Sequence, residues 1–328
     1  MNYGFFNGDA DGIISMYLFN WYSGREMNEY YTGIKRDVEL LRHAKDIESS
    51  NLFVFDVSML SNEKYLKPLI DQDNTIRWYD HHKLPDDENI RNSILYKVST
   101  DPKHCTAMMV EEYFSSSTMI AGLRSWVICA AYGDNLHTTV QELNEDMHPS
   151  FTQPTLDIYK EVGETLNYNG YGNQESDLTV HPKEVFLDMC KYDNPKTYHA
   201  ESEIFKKINT QMKQDASLLE SSSETVHESE IGSIIILPEG SASIRYSGIY
   251  SNLLSMNNKS KAFAIMTVYD ENNYKISIRA PQDNPVGACD LALKFPTGGG
   301  REKAAGVNQL PCDQVDAFVE EFVKNFTS

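Results

Sequence analysis

The chain has 328 residues, of which 41% are hydrophobic and 11% aromatic, the composition of a globular protein long enough for two domains. Its net charge of −19, from 29 basic and 48 acidic residues, argues against a long duplex nucleic acid as partner, because proteins that bind one present a basic surface to the phosphates. No apolar run is long enough to cross a membrane and no secretory leader is visible, so we expect a cytoplasmic protein without a membrane partner.

The N-terminal half alternates strand-like and helix-like segments, as βαβ units do. Short apolar runs predict strands at Tyr3–Phe6, Leu52–Val57 and Ile76–Tyr79. Helical patterns predict helices at Ile13–Tyr22, Cys105–Phe114 and Leu123–Tyr132. This alternation predicts an α/β fold with a doubly wound parallel sheet.

Acidic residues follow each of the three predicted strands. Asp9 and Asp11 lie in a Gly-Asp-Ala-Asp-Gly turn after the first strand, and Asp56 follows the second. The third strand leads directly into the acid and two histidines of Asp80–His82. Because the carboxyl ends of parallel strands meet at one edge of a sheet, these side chains should gather in one crevice. A pair of divalent cations would explain the gathering, although each group taken singly also fits an ordinary turn or helix cap.

One more carboxylate, Asp134, follows the predicted helix Leu123–Tyr132. Between them Gly133 fits the left-handed conformation that ends many helices. A negative charge at this end of a helix is unfavourable, because it faces the negative end of the helix dipole. A nearby cation would offset that cost.

The candidate metal ligands are therefore Asp9, Asp11, Asp56, His81 and Asp134. One shared carboxylate can bridge two cations, as in two-metal phosphoryl-transfer sites. Carboxylate and imidazole ligands together favour Mn²⁺, with Mg²⁺ as second choice, over Ca²⁺. We therefore predict two divalent metal ions at the strand ends.

The chain is polar from Leu136 to Glu230, with weak helical periodicity at Ile204–Leu219. It predicts peripheral helices, then a connecting helix, then a Ser- and Glu-rich linker at Glu220–Glu230. Within it, the segment Asn167–Gly172 is predicted to be a loop.

A second, smaller α/β domain is predicted to begin near Ile231. Its strands are predicted at Ser233–Leu237, Ala262–Tyr269 and Tyr274–Arg279, and its helices at Gly248–Met256 and Gln314–Phe326. The predicted domains are thus 1–200, with a helical part at 136–200, a connecting segment at 201–230, and 231–328. The five cysteines stand singly along the chain, which argues against a disulfide framework and a structural zinc site.

The motifs GDADG, FDVS, DHH and GDN, in this order, resemble those of the DHH phosphoesterase superfamily. The later SIRA and TGGGREKAAG are similar to its DHH-associated C-terminal domain. The resemblance covers most of the chain except the middle helical region, and it is of the RecJ-like or short-oligonucleotide phosphodiesterase type.

The resemblance implies a role for each motif residue. Asp9 would hold the first metal and Asp11 the second, Asp56 would bridge both, and His81 and Asp134 would complete the second site. Two further residues would be catalytic, Asp80 by orienting the histidine pair and His82 by facing the substrate phosphate. In the C-terminal domain a terminal phosphate would be bound by Arg279, Gly298, Gly299, Gly300 and Arg301.

Two positions depart from the family pattern. Phe5 stands where many relatives have a histidine, so the first metal is expected to be held more loosely, with water or Asn7 filling the gap. Arg301 replaces the histidine of the family's GGGH motif and offers phosphate a bidentate fork.

The predicted function is metal-dependent hydrolysis of short oligoribonucleotides or linear dinucleotides of the pGpG type to mononucleotides, in a cleft between the two domains. Two alternatives remain open at this point: a phosphoanhydride hydrolase acting on pyrophosphate or polyphosphate, and a non-catalytic nucleotide-binding sensor. The sequence also leaves open a homodimer.

Overall fold

A computed structural model describes residues 1–114, 121–147 and 149–327 of the chain. The chain divides into two compact units, Met1–Thr210 and Gln211–Ser328. In the described part of the chain, no helix combines the length and apolar character that crossing a membrane requires.

The first unit is built on a sheet of five parallel strands. The strands are β1 (Asn2–Phe6), β2 (Glu29–Tyr31), β3 (Asn51–Phe55), β4 (Thr75–Asp80) and β5 (Leu95–Val98). Their order across the sheet is β2-β1-β3-β4-β5, so the direction of winding reverses between β1 and β3. This is the doubly wound topology that the alternating sequence predicts, and it opens a crevice at the carboxyl ends of those two strands.

Ten helices among the described residues begin in this unit. They are α1 (Ala10–Ser23), α2 (Met59–Asp71), α3 (Glu88–Ser93), α4 (Thr106–Phe114), α5 (Ala121–Gly133), α6 (His137–Glu145), α7 (Gln153–Gly170), α8 (Pro182–Met189), α9 (Pro195–Glu201) and α10 (Glu203–Ser222), the last of which continues into the second unit. Short 3₁₀ turns lie at Leu40–Ala44 and Glu175–Asp177.

Alternate residues of the strands face opposite sides of the sheet, and each side is covered by helices. On one side Phe5, Val54 and Trp78 pack with apolar residues of α2. On the other side Phe19 of α1 packs against Phe53, with 4.7 Å between the ring centroids. The crevice is therefore held between two packed layers.

Two local predictions in the first unit were wrong. The segment Asn167–Gly172 is not wholly a loop, because α7 continues to Gly170. Gly133 lies inside α5, and the left-handed residue after that helix is Asn135, with a φ of 59°. A Cβ on Gly133 would lie 2.5 Å from the Cβ of Ala10, so this glycine serves the close packing of α5 against α1.

The second unit contains a mixed sheet of six strands in the order β10-β11-β9-β8-β7-β6. The strands are β6 (Glu224–Glu228), β7 (Gly232–Ile236), β8 (Ala262–Asp270), β9 (Asn273–Arg279), β10 (Gly298–Arg301) and β11 (Ala304–Pro311). Its helices are α11 (Ser241–Asn257), α12 (Ala288–Ala292) and α13 (Val315–Thr327), with a 3₁₀ turn at Cys312–Gln314. Within this sheet, as far as the structure describes it, β7 and β8 form the only parallel pair, and α11 connects them.

The sequence predicts the central strands of this sheet to within one or two residues. It does not predict β6, which lies inside the segment expected to be a linker, Glu220–Glu230. The glycine-rich segment forms β10, which pairs with β11.

Candidate metal centre

The predicted acids lie at the carboxyl ends of β1, β3 and β4. Asp9 caps α1, with its Oδ1 accepting a hydrogen bond of 3.0 Å from the backbone N of Gly12. Asp56 follows β3 directly, and Asp80 is the last residue of β4. All are buried, with exposures of 2% for Asp9, 0% for Asp11, 2% for Asp56 and 1% for Asp80. They occupy the crevice where open α/β sheets bind ligands.

The backbone of Asp56 adopts the left-handed conformation, with a φ of 55°. Few residues other than glycine adopt it, and Asp is among those that tolerate it best. The backbone N of Asp56 donates a 3.0 Å hydrogen bond to the carbonyl O of Tyr79, which fixes the turn. Backbone strain of this kind clusters at functional sites.

The glycines of the first turn are required by packing. A Cβ on Gly12 would lie 2.3 Å from the carbonyl O of Asn7, and one on Gly8 would lie 1.8 Å from the carbonyl O of Gly33. A side chain at Gly8 or Gly12 would displace the backbone of this turn, so both glycines are needed to place Asp9 and Asp11 in the crevice.

The imidazole of His81 joins the acids. Its Nε2 lies 3.3 Å from Asp56 Oδ1, and its Nδ1 lies 3.2 Å from the backbone O of His104. Burial disfavours charge on this ring, but the hydrogen bond and the charge of Asp56, followed by the charge of Asp11, outweigh it and raise the pKa of His81 to about 11. A carbonyl on Nδ1 is the usual way in which a protein turns Nε2 of a histidine toward a metal.

Among the residues that the structure describes, two groups of side chains have ligand atoms close enough to share an ion. The ligand atoms of Asp11, His81 and Asp134 all lie within 4.8 Å of one another. The same holds for the second group, Asp56, Asp80, His81 and His82. Of the five predicted ligands, four therefore lie in these groups, and His81 belongs to both.

Acids this close and this buried repel one another when ionised. Burial first, and then the charges of Asp9 and Asp11, raise the pKa of Asp56 well above its usual value. Burial and the charge of Asp11 likewise raise the pKa of Asp134 to about 7. A bound cation would remove this repulsion.

Two buried carboxylate oxygens also have no hydrogen-bond partner among the described residues: Asp80 Oδ2 and Asp134 Oδ2. A buried unsatisfied acceptor is costly, and a cation would satisfy it. Both oxygens of Asp11, in contrast, accept from the first turn of α4, from the backbone N of Thr106 at 2.7 Å and of Ala107 at 2.8 Å. By its donor chemistry and the unsatisfied Oδ2 of Asp134, the cluster of Asp11, His81 and Asp134 fits a divalent ion.

Asp80 orients the histidine pair by hydrogen bonds. Its Oδ1 accepts from the backbone N of His81 at 2.8 Å and lies 2.6 Å from Nδ1 of His82. The His82 side chain is 46% exposed, so its ring can meet a ligand from solvent.

A residue that the sequence does not predict, Lys35, lies beside Asp9. Its Nζ is 2.7 Å from Asp9 Oδ2 and 4.0 Å from Asp134 Oδ1. Burial disfavours charge on Lys35, but Asp9 and other neighbours outweigh it and raise the pKa of this lysine well above its usual value. Burial would raise the pKa of Asp9, but Lys35 and the Gly12 amide outweigh it and hold that pKa below its usual value.

Sequence reasoning gives no signal for Lys35, which belongs to a polar segment without periodicity. Its contacts are made by tertiary structure alone. The partner of His81, the carbonyl O of His104, is missed for the same reason, because any residue can supply a carbonyl.

The predicted phosphate-binding residues lie in the second unit. In the register of the sheet Arg279 pairs with Ala304, and Ala304 pairs with Arg301, so the two arginines project from the same face two strands apart. Nε of Arg279 donates to Asn252 Oδ1 at 3.1 Å.

The three glycines beside Arg301 differ in their surroundings. A Cβ would lie 1.7 Å from the carbonyl O of Ala292 at Gly298 and 2.4 Å from Ala305 Cα at Gly300, where φ is 147°. The position of a Cβ on Gly299 is open, with nothing within 4 Å. Gly298 and Gly300 are therefore needed by the sheet itself, and the backbone of Gly299 is accessible.

Comparison of the whole chain with known proteins gives matches in structure only. No family model and no curated protein sequence matches it. The exonuclease RecJ bound to manganese has a TM-score of 0.58 at 12% identity, over 98% of this chain and 88% of RecJ.

Two further structures extend the match. The DHH domain of a member of the S1p family of ribosomal proteins has a TM-score of 0.62 at 13% identity, over 98% of this chain and 85% of that one. A pGpG-specific phosphodiesterase from Vibrio cholerae has a TM-score of 0.54 at 10% identity, over 99% of this chain and 98% of that one. The fold implied by the sequence motifs is thus confirmed: the chain has the RecJ-like fold of DHH-domain proteins.

Proposed function

We propose that the chain is a metal-dependent phosphodiesterase that hydrolyses short oligoribonucleotides or linear dinucleotides to mononucleotides. The observation that carries the proposal is the cluster of buried Asp11 with partly buried His81 and Asp134 at the carboxyl edge of the parallel sheet, with an unsatisfied Asp134 oxygen. Backbone hydrogen bonds satisfy Asp11 but leave Oδ2 of Asp134 buried without a partner, and a bound cation would satisfy that oxygen.

The ion would be held by Asp11, His81 and Asp134, and Asp56, whose Oδ1 lies 3.3 Å from Nε2 of His81, would add a negative charge beside it. This mixture of carboxylates and imidazole favours Mn²⁺ over Mg²⁺. When bound, a divalent cation polarises a phosphoryl oxygen and lowers the pKa of water. The sequence predicts two such ions, with Asp9 holding the first. The cluster of Asp11, His81 and Asp134 supports one of them.

Hydrolysis forms a bond from a water oxygen to phosphorus and breaks the ester bond; the attacking water releases one proton to solvent, and the leaving oxygen takes one up. We assign delivery of that proton to His82, because Asp80 holds Nδ1 of this ring and leaves Nε2 to face the leaving group. Asp80 positions the ring and does not touch the substrate.

The substrate is proposed to be short because the chain is strongly acidic, with a net charge of −19. A phosphate group of the substrate would bind to Arg279 and Arg301, which project from one face of their sheet. Similarity of fold to a pGpG-specific phosphodiesterase is in keeping with a dinucleotide.

The test is a turnover screen of the full chain with Mn²⁺, across linear dinucleotides, cyclic dinucleotides, longer single strands and pyrophosphate. Linear dinucleotides are expected to be hydrolysed fastest, to mononucleotides. Faster hydrolysis of long strands would contradict the substrate class, and release of orthophosphate from pyrophosphate alone would instead identify a phosphoanhydride hydrolase.

A matched pair of variants ties the activity to the site. Asp56→Asn keeps the left-handed backbone, which Asn tolerates as well as Asp, but weakens metal binding, so turnover should fall at least about 100-fold. Asp73→Asn is the control, because Asp73 is also left-handed, with a φ of 59°, but is exposed and outside the cluster. It should retain full activity.

A second candidate function is a nucleotide-binding sensor without catalysis. The ion pair between Asp9 and Lys35 favours it, since an ammonium group neutralises one acid without a metal. Nucleotide binding without turnover at saturating Mn²⁺ would identify the protein as such a sensor.

A further inference from the structure

We infer that the ammonium group of Lys35 permanently occupies the place of a first cation at Asp9, so that the chain binds one divalent ion where its sequence motifs predict two. The inference deepens the proposed function and rests on it for the identity of the remaining metal site. It concerns how the acids of the crevice are neutralised.

The carboxylate of Asp9 already has a cation beside it, whereas both oxygens of Asp11 accept from neutral backbone N–H groups. Asp9 Oδ1 accepts from the backbone N of Gly12 at 3.0 Å, and Asp9 Oδ2 lies 2.7 Å from Nζ of Lys35. The Asp9 side chain is 3% exposed and the Lys35 side chain 27%, so the carboxylate end of this ion pair is shielded from water. A divalent ion on the same oxygen would face a neighbouring positive charge with little solvent screening.

Lys35 is held in place by contacts from several segments. Its backbone N donates to the carbonyl O of Gly170 at 2.7 Å, and its carbonyl O accepts from Nδ2 of Asn7 at 3.2 Å. Its Nζ also donates to Asn167 Oδ1 at 2.9 Å and lies 5.5 Å from the ring centroid of Tyr171. The ammonium group thus has a built site of its own, with an acid, an amide oxygen and an aromatic face.

The neighbours of Asp9 on the β1 side are engaged elsewhere. Phe5 is fully buried in the sheet core and stacks on Tyr31, with 4.8 Å between ring centroids. Asn7 uses its amide nitrogen for the backbone of Lys35, and its Oδ1 accepts from the backbone N of Asp9 at 3.3 Å. The residues around Asp9 therefore fit an ammonium group and do not fit a second divalent ion.

The remaining acids lie on the other side of the cluster. Asp134 Oδ1 is 4.0 Å from the Lys35 Nζ, but its Oδ2 has no partner among the described residues. A single ion bound by Asp11, His81 and Asp134 would satisfy that oxygen. Together with Lys35 it would supply three positive charges to the crevice, where two divalent ions would supply four.

The test counts bound Mn²⁺ per full chain by equilibrium dialysis and metal analysis, with electron paramagnetic resonance to distinguish isolated ions from coupled pairs. The wild type is expected to bind one Mn²⁺ with the spectrum of an isolated ion. Lys35→Ala is expected to bind two, with a coupled spectrum, and Lys35→Arg, which keeps the charge, is expected to bind one.

Lys103→Ala is the matched control, because Lys103 forms an exposed ion pair with Glu142 at 2.8 Å in the same unit. It should bind one ion, as the wild type does, and circular dichroism checks that each variant is folded. Two Mn²⁺ in the wild type, or none, would overturn the inference, as would a folded Lys35→Ala protein that still binds only one.

The metal count separates this inference from the proposed function. One bound ion without turnover of any phosphodiester would leave the inference standing and refute the proposed activity. Turnover with two bound ions would do the reverse.

Discussion

A single residue, Asp134, is expected to make the stability of the folded protein depend on pH. Burial and the neighbouring acids raise its pKa to about 7 in the metal-free protein, compared with about 3.9 for an aspartate in an unfolded chain. Below the unfolded value both states hold the proton. Between the two values the unfolded state releases it first, so the folded protein loses stability as the pH rises.

The metal-free wild type is therefore expected to lose on the order of a few kcal/mol of stability from Asp134 between about pH 4 and pH 7. The Asp134→Asn variant should lose much less over this range. The measurement is the free energy of unfolding in denaturant, with chelator present, at pH 5 and pH 8.

The control is Asp146→Asn, which changes an exposed carboxylate just beyond α6 in the same unit. It should follow the wild type at both values of pH. Addition of Mn²⁺ at pH 8 should stabilise the wild type more than the Asp134→Asn variant, since the ion binds the ionised acid. Equal pH dependence in the wild type and the Asp134 variant would show that this acid ionises freely in the folded state.

The sequence predicts the residues of the cluster and misses their partners. Asp9, Asp11 and Asp56 could be predicted because each follows a short apolar strand, and the carboxyl ends of parallel strands lie at the same edge of the sheet. Lys35 could not be predicted, because its position beside Asp9 depends on the path of a polar segment and on the end of α7. A local pattern carries no information about such a contact.

At the scale of elements, close packing of α5 against α7 holds both sides of the cluster. Asp134 follows the last residue of α5, and Asn167, which binds Lys35, lies in the last turn of α7. A Cβ on Gly163 of α7 would lie 2.0 Å from the carbonyl O of Cys129 in α5. The two helices approach this closely only because the residue is glycine.

Gly163→Ala is expected to push the two helices apart and to destabilise the protein by about 1–3 kcal/mol, the usual cost of overpacking. It should also weaken Mn²⁺ binding, because Asp134 moves with α5. Chemical denaturation and Mn²⁺ titration measure the two effects.

Gly248→Ala supplies the comparison. Gly248 lies inside α11, and a Cβ there has nothing within 4 Å, so the higher helix propensity of alanine should stabilise the protein by up to about 1 kcal/mol. Mn²⁺ binding should not change. If both substitutions stabilised the protein, the spacing between α5 and α7 would be looser than the structure indicates.

The strands that are buried on both faces could be predicted from the sequence, and the partly exposed edge strands could not. The central strands β1, β3 and β4 are predicted because their apolar runs are buried on both faces. The edge strands β2 and β5 are missed, since they are three and four residues long and partly exposed. The end of α7 is missed because its Asn-rich sequence is typical of a loop, whereas the buried Asn169 bonds both the N and the O of Val180.

At the scale of the whole molecule, the net charge of −19 decides how substrate length and salt should act. A protein with a basic groove binds nucleic acid less tightly as salt increases, because counterion release loses its advantage. This chain repels a polyanion at long range, and the repulsion grows with the number of phosphates. A dinucleotide carries few phosphates, and the proposed contacts with Arg279 and Arg301 act on it at short range.

Salt should therefore affect long and short substrates in opposite ways. Raising KCl from about 20 mM to about 200 mM shortens the Debye length from roughly 20 Å to below 10 Å and screens the repulsion of a long strand. We expect kcat/KM for a single strand of about 12 nucleotides to rise several-fold, and kcat/KM for a dinucleotide to fall slightly as its contacts with the arginines are screened. The measurement is steady-state kinetics at fixed free Mn²⁺, and the comparison is the Arg301→Ala variant. In this variant kcat/KM for the dinucleotide should no longer fall with added salt, and kcat/KM for the longer strand should still rise. A steep loss of activity toward the longer strand with added salt would instead reveal a local basic track that outweighs the acidic charge of the molecule.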